Sequence, residues 1–123
     1  MIYNKNEYRV KFYQDLKGGI PVIEYLEKIS KKEKAKILKY IEFLKDNKGY
    51  LDEPYSKHIK GKVRELRVDF SKNRHRIFYF TFIKKTIIIL HVFLKKTQKT
   101  PIKEIKKVED LLKEVINNPK IYE

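Results

Sequence analysis

The chain has no cysteine, and it spends only four glycines and four prolines on 123 residues. Without cysteine there is no disulfide framework and no thiolate zinc site, which fits a reducing cytoplasm. Few glycines and prolines, with 13% aromatic residues, argue against disorder even though 37% of the chain is charged. No hydrophobic run is long. Ile77–Ile83 and Ile87–Leu94 fall far short of the roughly 20 residues a membrane helix needs. Lys84 and Lys85 separate them, and His91 interrupts the second. The N-terminal stretch Met1–Arg9 has none of the apolar run of a signal peptide. No repeat, linker or low-complexity segment divides the chain, and its length suits one domain over residues 1–123. The expectation is a cytoplasmic domain with no membrane partner.

Acidic residues are scarce where it matters most. Residues 57–107 hold sixteen Lys/Arg against three Asp/Glu, which is +13 of the total +14. Residues 1–56 carry +3 and residues 108–123 carry −2. Charge this lopsided speaks of partners rather than fold. A phosphate backbone is the simplest partner, because neutralising phosphates releases counterions. Arginine is also rare, five of the thirty cations: Arg9, Arg64, Arg67, Arg74 and Arg76. Four of these fall between positions 64 and 76. The planar guanidinium grips phosphate with two parallel bonds where an ammonium is a point charge. The competing reading is a set of ion pairs with Glu65 and Asp69.

The periodicity gives an order of elements. Tyr8–Tyr13 alternates as a strand. Pro21 opens a helix with Val22, Tyr25, Leu26 and Ile29 at helical spacing. Ser30-Lys-Lys-Glu33 is a capping box for a second helix bearing Ile37, Tyr40, Ile41 and Leu44, ended by Gly49. Val63–Phe70, Arg76–Ile83 and Thr86–Leu94 then read as an antiparallel meander with short turns at Ser71–Arg74 and Lys84-Lys85. The last two strands are apolar on both faces, as central strands are. Thr100-Pro101 offers an N-cap and first-turn proline to a final helix closed near Asn118-Pro119. The fold class is therefore α+β, ordered β-α-α-β-β-β-α. It has an antiparallel sheet of about four strands, a helical hairpin on one face and a C-terminal helix. With the helices on one side, the other side is expected to be a cationic sheet surface suited to single-stranded RNA.

The chemistry-bearing residues narrow further by exclusion. His58, His75 and His91 lack metal-ligand spacing, and no carboxylates cluster beside them. There is no Ser-His-Asp order and no glycine-rich phosphate loop. What remains is cations, Tyr79 and His91. Attack of a ribose 2′-hydroxyl on its adjacent phosphate needs such groups: a base, cations on the phosphate oxygens, and a proton donor for the leaving oxygen. His91 has the unperturbed pKa for acid–base work, but a lone histidine in an apolar strand also serves as a core residue. Tyr79 can stack a base, donate a proton or fill the core.

Glu65-Leu-Arg67, Arg76-Ile-Phe-Tyr79 and His91-Val-Phe-Leu-Lys-Lys-Thr-Gln-Lys-Thr-Pro101 followed by Glu104, in this element order, resemble the RelE/ParE superfamily. The nearest likeness is to its HigB-like, phage-derived branch, over roughly residues 8–118. The resemblance implies the toxin of a type II toxin–antitoxin system, a ribosome-dependent messenger RNA endoribonuclease that inhibits translation. It implies no cofactor, and a cognate antitoxin from the same operon, of helix-turn-helix type. It makes Arg76 the first choice for a phosphate clamp and Arg67 the second. Lys95, Lys96 and Lys99 stand where the family holds a catalytic cation, with solvated surface charge as the alternative. Gln98 could read a base edge. Lys57, His58 and Lys60, expected in a loop before the sheet, together with Lys62, Arg64 and Arg74, are RNA- or ribosome-contact candidates. The chain departs from some RelE-type enzymes in lacking a tyrosine between Ile102 and Glu109. Two other classes stay open: a ParE-like protein inhibitor of DNA gyrase, and an RNA-binding module without cleavage.

Overall fold

The computed structural model describes residues 7–83 and 85–123. Lys84, half of the expected Lys84-Lys85 turn, and the first six residues lie outside it. Strand β1 spans Arg9–Phe12, helix α1 Pro21–Lys28 and helix α2 Lys31–Asp46. Strands β2 (Ser56–Lys60), β3 (Val63–Phe70), β4 (Asn73–Phe82) and β5 (Thr86–Leu94) follow. Helix α3 (Ile102–Asn117) and a short 3-10 turn, Pro119–Tyr122, complete the chain. The five strands form one sheet in the order β1-β5-β4-β3-β2. The meander β2–β5 is antiparallel, and β1 returns beside β5 in parallel.

Local chemistry accounts for the hairpin. Pro21 sits at the start of α1, where its missing N–H costs no hydrogen bond. Ser30 and Glu33 form the expected reciprocal cap on α2. Gly49 follows the helix at φ 83°, and its amide donates to the Leu44 carbonyl at 2.8 Å. A Cβ there would come 2.6 Å from Thr81 Oγ1, so both the backbone and the close packing call for glycine.

The helices do not share one face. α1 and α2 cover the side carrying Leu66, Val68, Ile77, Tyr79, Ile87, Ile89 and Val92. α3 covers the opposite side, where Val63, Phe78, Phe80, Ile88 and Leu90 pack against Val108 and Val115. The expected open cationic sheet surface is thus largely a second core. The physical reason is the sequence of β4 and β5 themselves, which are apolar on both faces and leave neither side able to stay wet. Each fully buried aromatic, Phe78, Tyr79 and Phe80, contributes about 2–3 kcal/mol of burial free energy.

Three local details differ from the sequence reading. Residues 56–60 form a strand rather than a loop, so Lys57, His58 and Lys60 lie on the sheet's edge. Thr100 does not cap α3; its hydroxyl donates to Glu65 Oε2 at 3.1 Å, and Pro101 holds the cap position. In β5 one residue is extra: Phe78 pairs with His91 and Tyr79 with Ile89, leaving Leu90 as a bulge. Leu90 and His91 therefore both face α3, and Phe93 follows them on that side.

Candidate nucleic-acid interface

At the end of the sheet beyond the start of α3, strands β3, β4 and β5 place cations on the α3 side. Arg67 is opposite Arg76, and Asp69 opposite Arg74, in the β3–β4 register. Arg76 is in turn opposite Phe93 on β5. Lys95 continues that strand, its amide donating to the Arg74 carbonyl at 2.8 Å. Alternation along three adjacent strands is what gathers Arg67, Arg74, Arg76 and Lys95 within one patch.

Arg76 is only 5% exposed, unusual for an arginine. Its Nη1 donates to Asp69 Oδ1 at 2.7 Å and to the His75 carbonyl at 3.1 Å. Its buried Nε has no hydrogen-bond partner. The ion pair with Asp69, one of the two readings the sequence left for this arginine, is therefore formed. Asp69 is itself well exposed, with its side chain 61% accessible, so water and incoming anions reach the pair.

Glu65 anchors the other side of the patch. It is fully buried, yet both carboxylate oxygens are used: Arg67 Nε donates to one at 3.1 Å, and Thr100 to the other. A buried carboxylate holds its place only when so satisfied. Lys95 is buried nearby. Burial lowers its pKa below the usual lysine value, Glu65 opposes that, and Arg76, Arg67 and Arg74 push the same way as burial. The ammonium of Lys95 thus gives up its proton more readily than a surface lysine does.

His91 borders the patch. Its ring stacks near Phe78 and Phe93, with centroids at 6.3 and 6.1 Å, and its Nε2 lies 2.5 Å from Glu104 Oε2 on α3. Burial lowers its pKa, against the raising effect of Glu104. Lys96, Gln98 and Lys99 are exposed on the loop between β5 and α3. Lys57, opposite Glu65 on edge strand β2, is exposed on the same side.

Several candidates lie elsewhere. Tyr79 is fully buried under the α1–α2 hairpin, its hydroxyl 2.7 Å from Ser56 Oγ and donating to the Gly49 carbonyl at 3.2 Å. It is a core residue and cannot reach a bound RNA. Arg64 is opposite Tyr79 on that same side. Its guanidinium lies over the Tyr50 ring at 4.6 Å and bonds Ser56. His58 bonds the Gly61 carbonyl, and Lys60 pairs with Glu109 of α3 at 3.2 Å. Lys62 is exposed in the turn after β2.

A second polar cluster escaped the sequence reading. His75 is buried, with Nδ1 2.7 Å from the Tyr25 hydroxyl and Nε2 2.9 Å from Glu33 Oε1. Asn73 donates to the same Glu33 oxygen at 2.7 Å. Hydrogen bonds from His75 first, then Asn73 and Ser30, hold the Glu33 carboxyl down at about 2. These bonds tie α1 and the α2 cap to the root of β4, one residue before Arg76. Tyr25 is buried enough that its own pKa rises to about 12, so it stays a neutral hydroxyl.

Among the described residues no group of three or more His, Cys, Asp or Glu is placed to hold a metal ion. No described helix is long and apolar enough to cross a membrane. What the patch can do chemically is bind an oxyanion and move a proton beside it. No curated protein matches the chain. The model of the phage-derived Gp49-like proteins (DUF891) does match, over residues 24–113, from within α1 to late α3. That span includes every patch residue named above and covers well over half of the sequence. The chain therefore belongs to the phage-derived Gp49-like family, a family associated with RelE-like toxins.

Proposed function

We propose that this chain is the toxin of a type II toxin–antitoxin pair, and that it stops translation by cleaving messenger RNA on the ribosome. The observation that carries the reading is Arg76, a buried guanidinium with one donor occupied by an exposed carboxylate and its Nε still without a partner. The two non-bridging oxygens of a phosphodiester fit a guanidinium fork, and the unpaired Nε gives one of them a donor that Asp69 does not use. Asp69 is exposed, so a carboxylate displaced by phosphate regains its hydration, while the buried guanidinium keeps an anionic partner.

In this reading Arg76 and Arg67 hold the scissile phosphate and stabilise the charge that grows on its oxygens. The 2′-oxygen attacks phosphorus, the bond to the 5′-oxygen breaks, and a 2′,3′-cyclic phosphate forms. The 2′-hydroxyl loses its proton to a base and the 5′-oxygen gains one. Lys95 suits the second transfer because burial and its arginine neighbours loosen its proton. The imidazole of His91, kept neutral by burial, suits the first. Glu65 is a positioning residue, since it fixes Arg67 and Thr100 and is itself sealed from solvent. Lys57, Lys96 and Lys99 add long-range attraction for ribosome and transcript, and the exposed Gln98 contacts a base in this reading. An antitoxin made beside it would keep the patch in check.

Mapping transcript ends after induced expression tests this. New internal 5′ ends with the parent chain, absent with Arg76→Ala at equal soluble yield, are expected. Growth arrest with intact transcripts and trapped gyrase–DNA complexes would replace the reading with a ParE-like one. RNA binding without new ends would reduce it to a binding module.

A further inference from the structure

Three aromatic residues gather at the solvent side of α2: Phe43 and Tyr55 are exposed, and Tyr40 is half-buried, with its inner side against the core. Tyr40 and Phe43 lie on α2 with ring centroids 5.9 Å apart, and Tyr55, in the segment leading into β2, stands 6.2 Å from Tyr40. Tyr55 is 51% exposed and Phe43 43%. Single exposed aromatics are ordinary, but here two exposed rings flank Tyr40, each in contact with it, and together they form a surface. Lysines accompany them: Lys36 Nζ is 5.7 Å from the Tyr40 centroid, and Lys39 Nζ 5.7 Å from that of Phe43.

The surface leads into the phosphate site. Beside the start of β2, where the Arg67 amide donates to the Tyr55 carbonyl, lies a cleft of about 170 Å³ whose lining includes Tyr40, Tyr55, Arg67, Asp69 and Arg76. Lys36, which donates to the Asp69 carbonyl, lines the cleft as well. One cleft thus brings guanidinium groups and tyrosine rings together. That combination, aromatic faces beside a cationic track, is how single-stranded nucleic acid is held without sequence readout. A protein helix would instead need a continuous apolar stripe, and here lysines interrupt the rings.

We propose that Tyr55, backed by Tyr40, stacks a nucleobase of single-stranded RNA next to the nucleotide whose phosphate Arg76 holds. The subsite rests on the phosphate-clamp reading, deepens it, and would set which bases flank the cut. Larger bases cover more of the Tyr55 ring, so purines are favoured over pyrimidines there.

The test uses the full chain and two short probes that cannot be cleaved: a 2′-O-methyl oligonucleotide with bases, and an abasic oligonucleotide of equal length. Tyr55→Ala should weaken binding of the first by roughly 5- to 150-fold, the span that loss of one base–aromatic stack produces. It should leave the abasic probe unchanged. Tyr55→Phe should keep nearly all the affinity, since the ring and not the hydroxyl is used. Arg76→Ala should weaken both probes, which reads the clamp separately from the stack. An unchanged affinity for Tyr55→Ala on the base-bearing probe would overturn the subsite and leave the rings to a protein partner. An equal loss on both probes would also overturn it, showing that Tyr55 only shapes the phosphate site. If Arg76→Ala changed neither probe, the clamp would fall; if the parent bound neither, clamp and subsite would fall together.

Discussion

Glu33 can be separated from every other carboxylate by titrating the fold. In the folded chain its carboxyl is held at about 2 rather than the ordinary 4.5, chiefly by His75 and then by Asn73 and Ser30. A depressed carboxyl pKa stabilises the fold fully above the unfolded value and loses that contribution as pH falls toward the folded one. The window is therefore pH 4.5 down to about 2. A difference of this size corresponds to up to about 3 kcal/mol at neutral pH. Asn73 is exposed, so water reaches one side of the cluster, and screening trims the figure to about 2 kcal/mol. Glu33→Gln keeps the shape and removes the charge. Urea unfolding at constant ionic strength should find it less stable than the parent by about 2 kcal/mol at pH 7. The gap should close between pH 4.5 and 2, by at most about 1.4 kcal/mol per pH unit. Other carboxylates protonate in the same window, but they do so in both proteins and cancel. A domain of this size typically has about 5–15 kcal/mol of stability, so the variant stays folded at neutral pH. A gap that is absent at pH 7, or that stays constant down to pH 2, would refute the role assigned to the His75–Glu33 bond.

Arg76→Ala should lower cleavage by about 100- to 1000-fold in protein shown folded at the assay temperature, even if its melting curve shifts down with the loss of a buried, ion-paired side chain. Arg76→Lys should recover little, because an ammonium cannot hold two oxygens in one plane. Persistent transcript cleavage by Arg76→Ala would show the active site to be elsewhere. Tyr79→Phe should cost about 1 kcal/mol in denaturant unfolding, by orphaning Ser56 and Gly49 partners, and leave cleavage by the folded protein at the parent rate. Ribosome or RNA affinity should fall steeply with salt, at roughly 0.7 log units per phosphate contact and log unit of salt for single strands; a flat response would remove the electrostatic basis of the patch. His91→Asn should shift or flatten the pH–rate profile at unchanged melting temperature, whereas loss of activity only in step with melting would make His91 a packing residue.

The strands of the meander and the α2 cap were legible because both rest on local periodicity: alternating Leu66, Val68 and Phe70, and the Ser30–Glu33 spacing. Arg67 was legible as a polar-face residue from the alternation of its strand, whereas Arg76 and Lys95 stood out through the family resemblance; that the strand register gathers them in one patch shows only in the structure. Strand β2 was not, since an edge strand with Lys57, His58 and Lys60 needs no apolar face and carries no hydrophobic alternation. Which side Tyr79 faces could not be read from Phe78-Tyr79-Phe80, all three large and aromatic in a strand buried on both sides. The roles of Glu65 and His75 depend on partners at Thr100 and Glu33, 35 and 42 residues away, and no local pattern announces such pairs.

The spare residue at Leu90 puts the two halves of β5 out of step with one another. Everything after it, from Phe93 to the cationic loop, owes its side of the sheet to that one-residue offset. Length within residues 86–94 is consequently a coding property of the patch. Deleting Leu90 would leave a strand of good composition that delivers Lys95 to the wrong side of the molecule. Adding a residue after Lys96 would merely lengthen a surface loop. An engineer transplanting the patch to another sheet would have to carry the offset along with the cations.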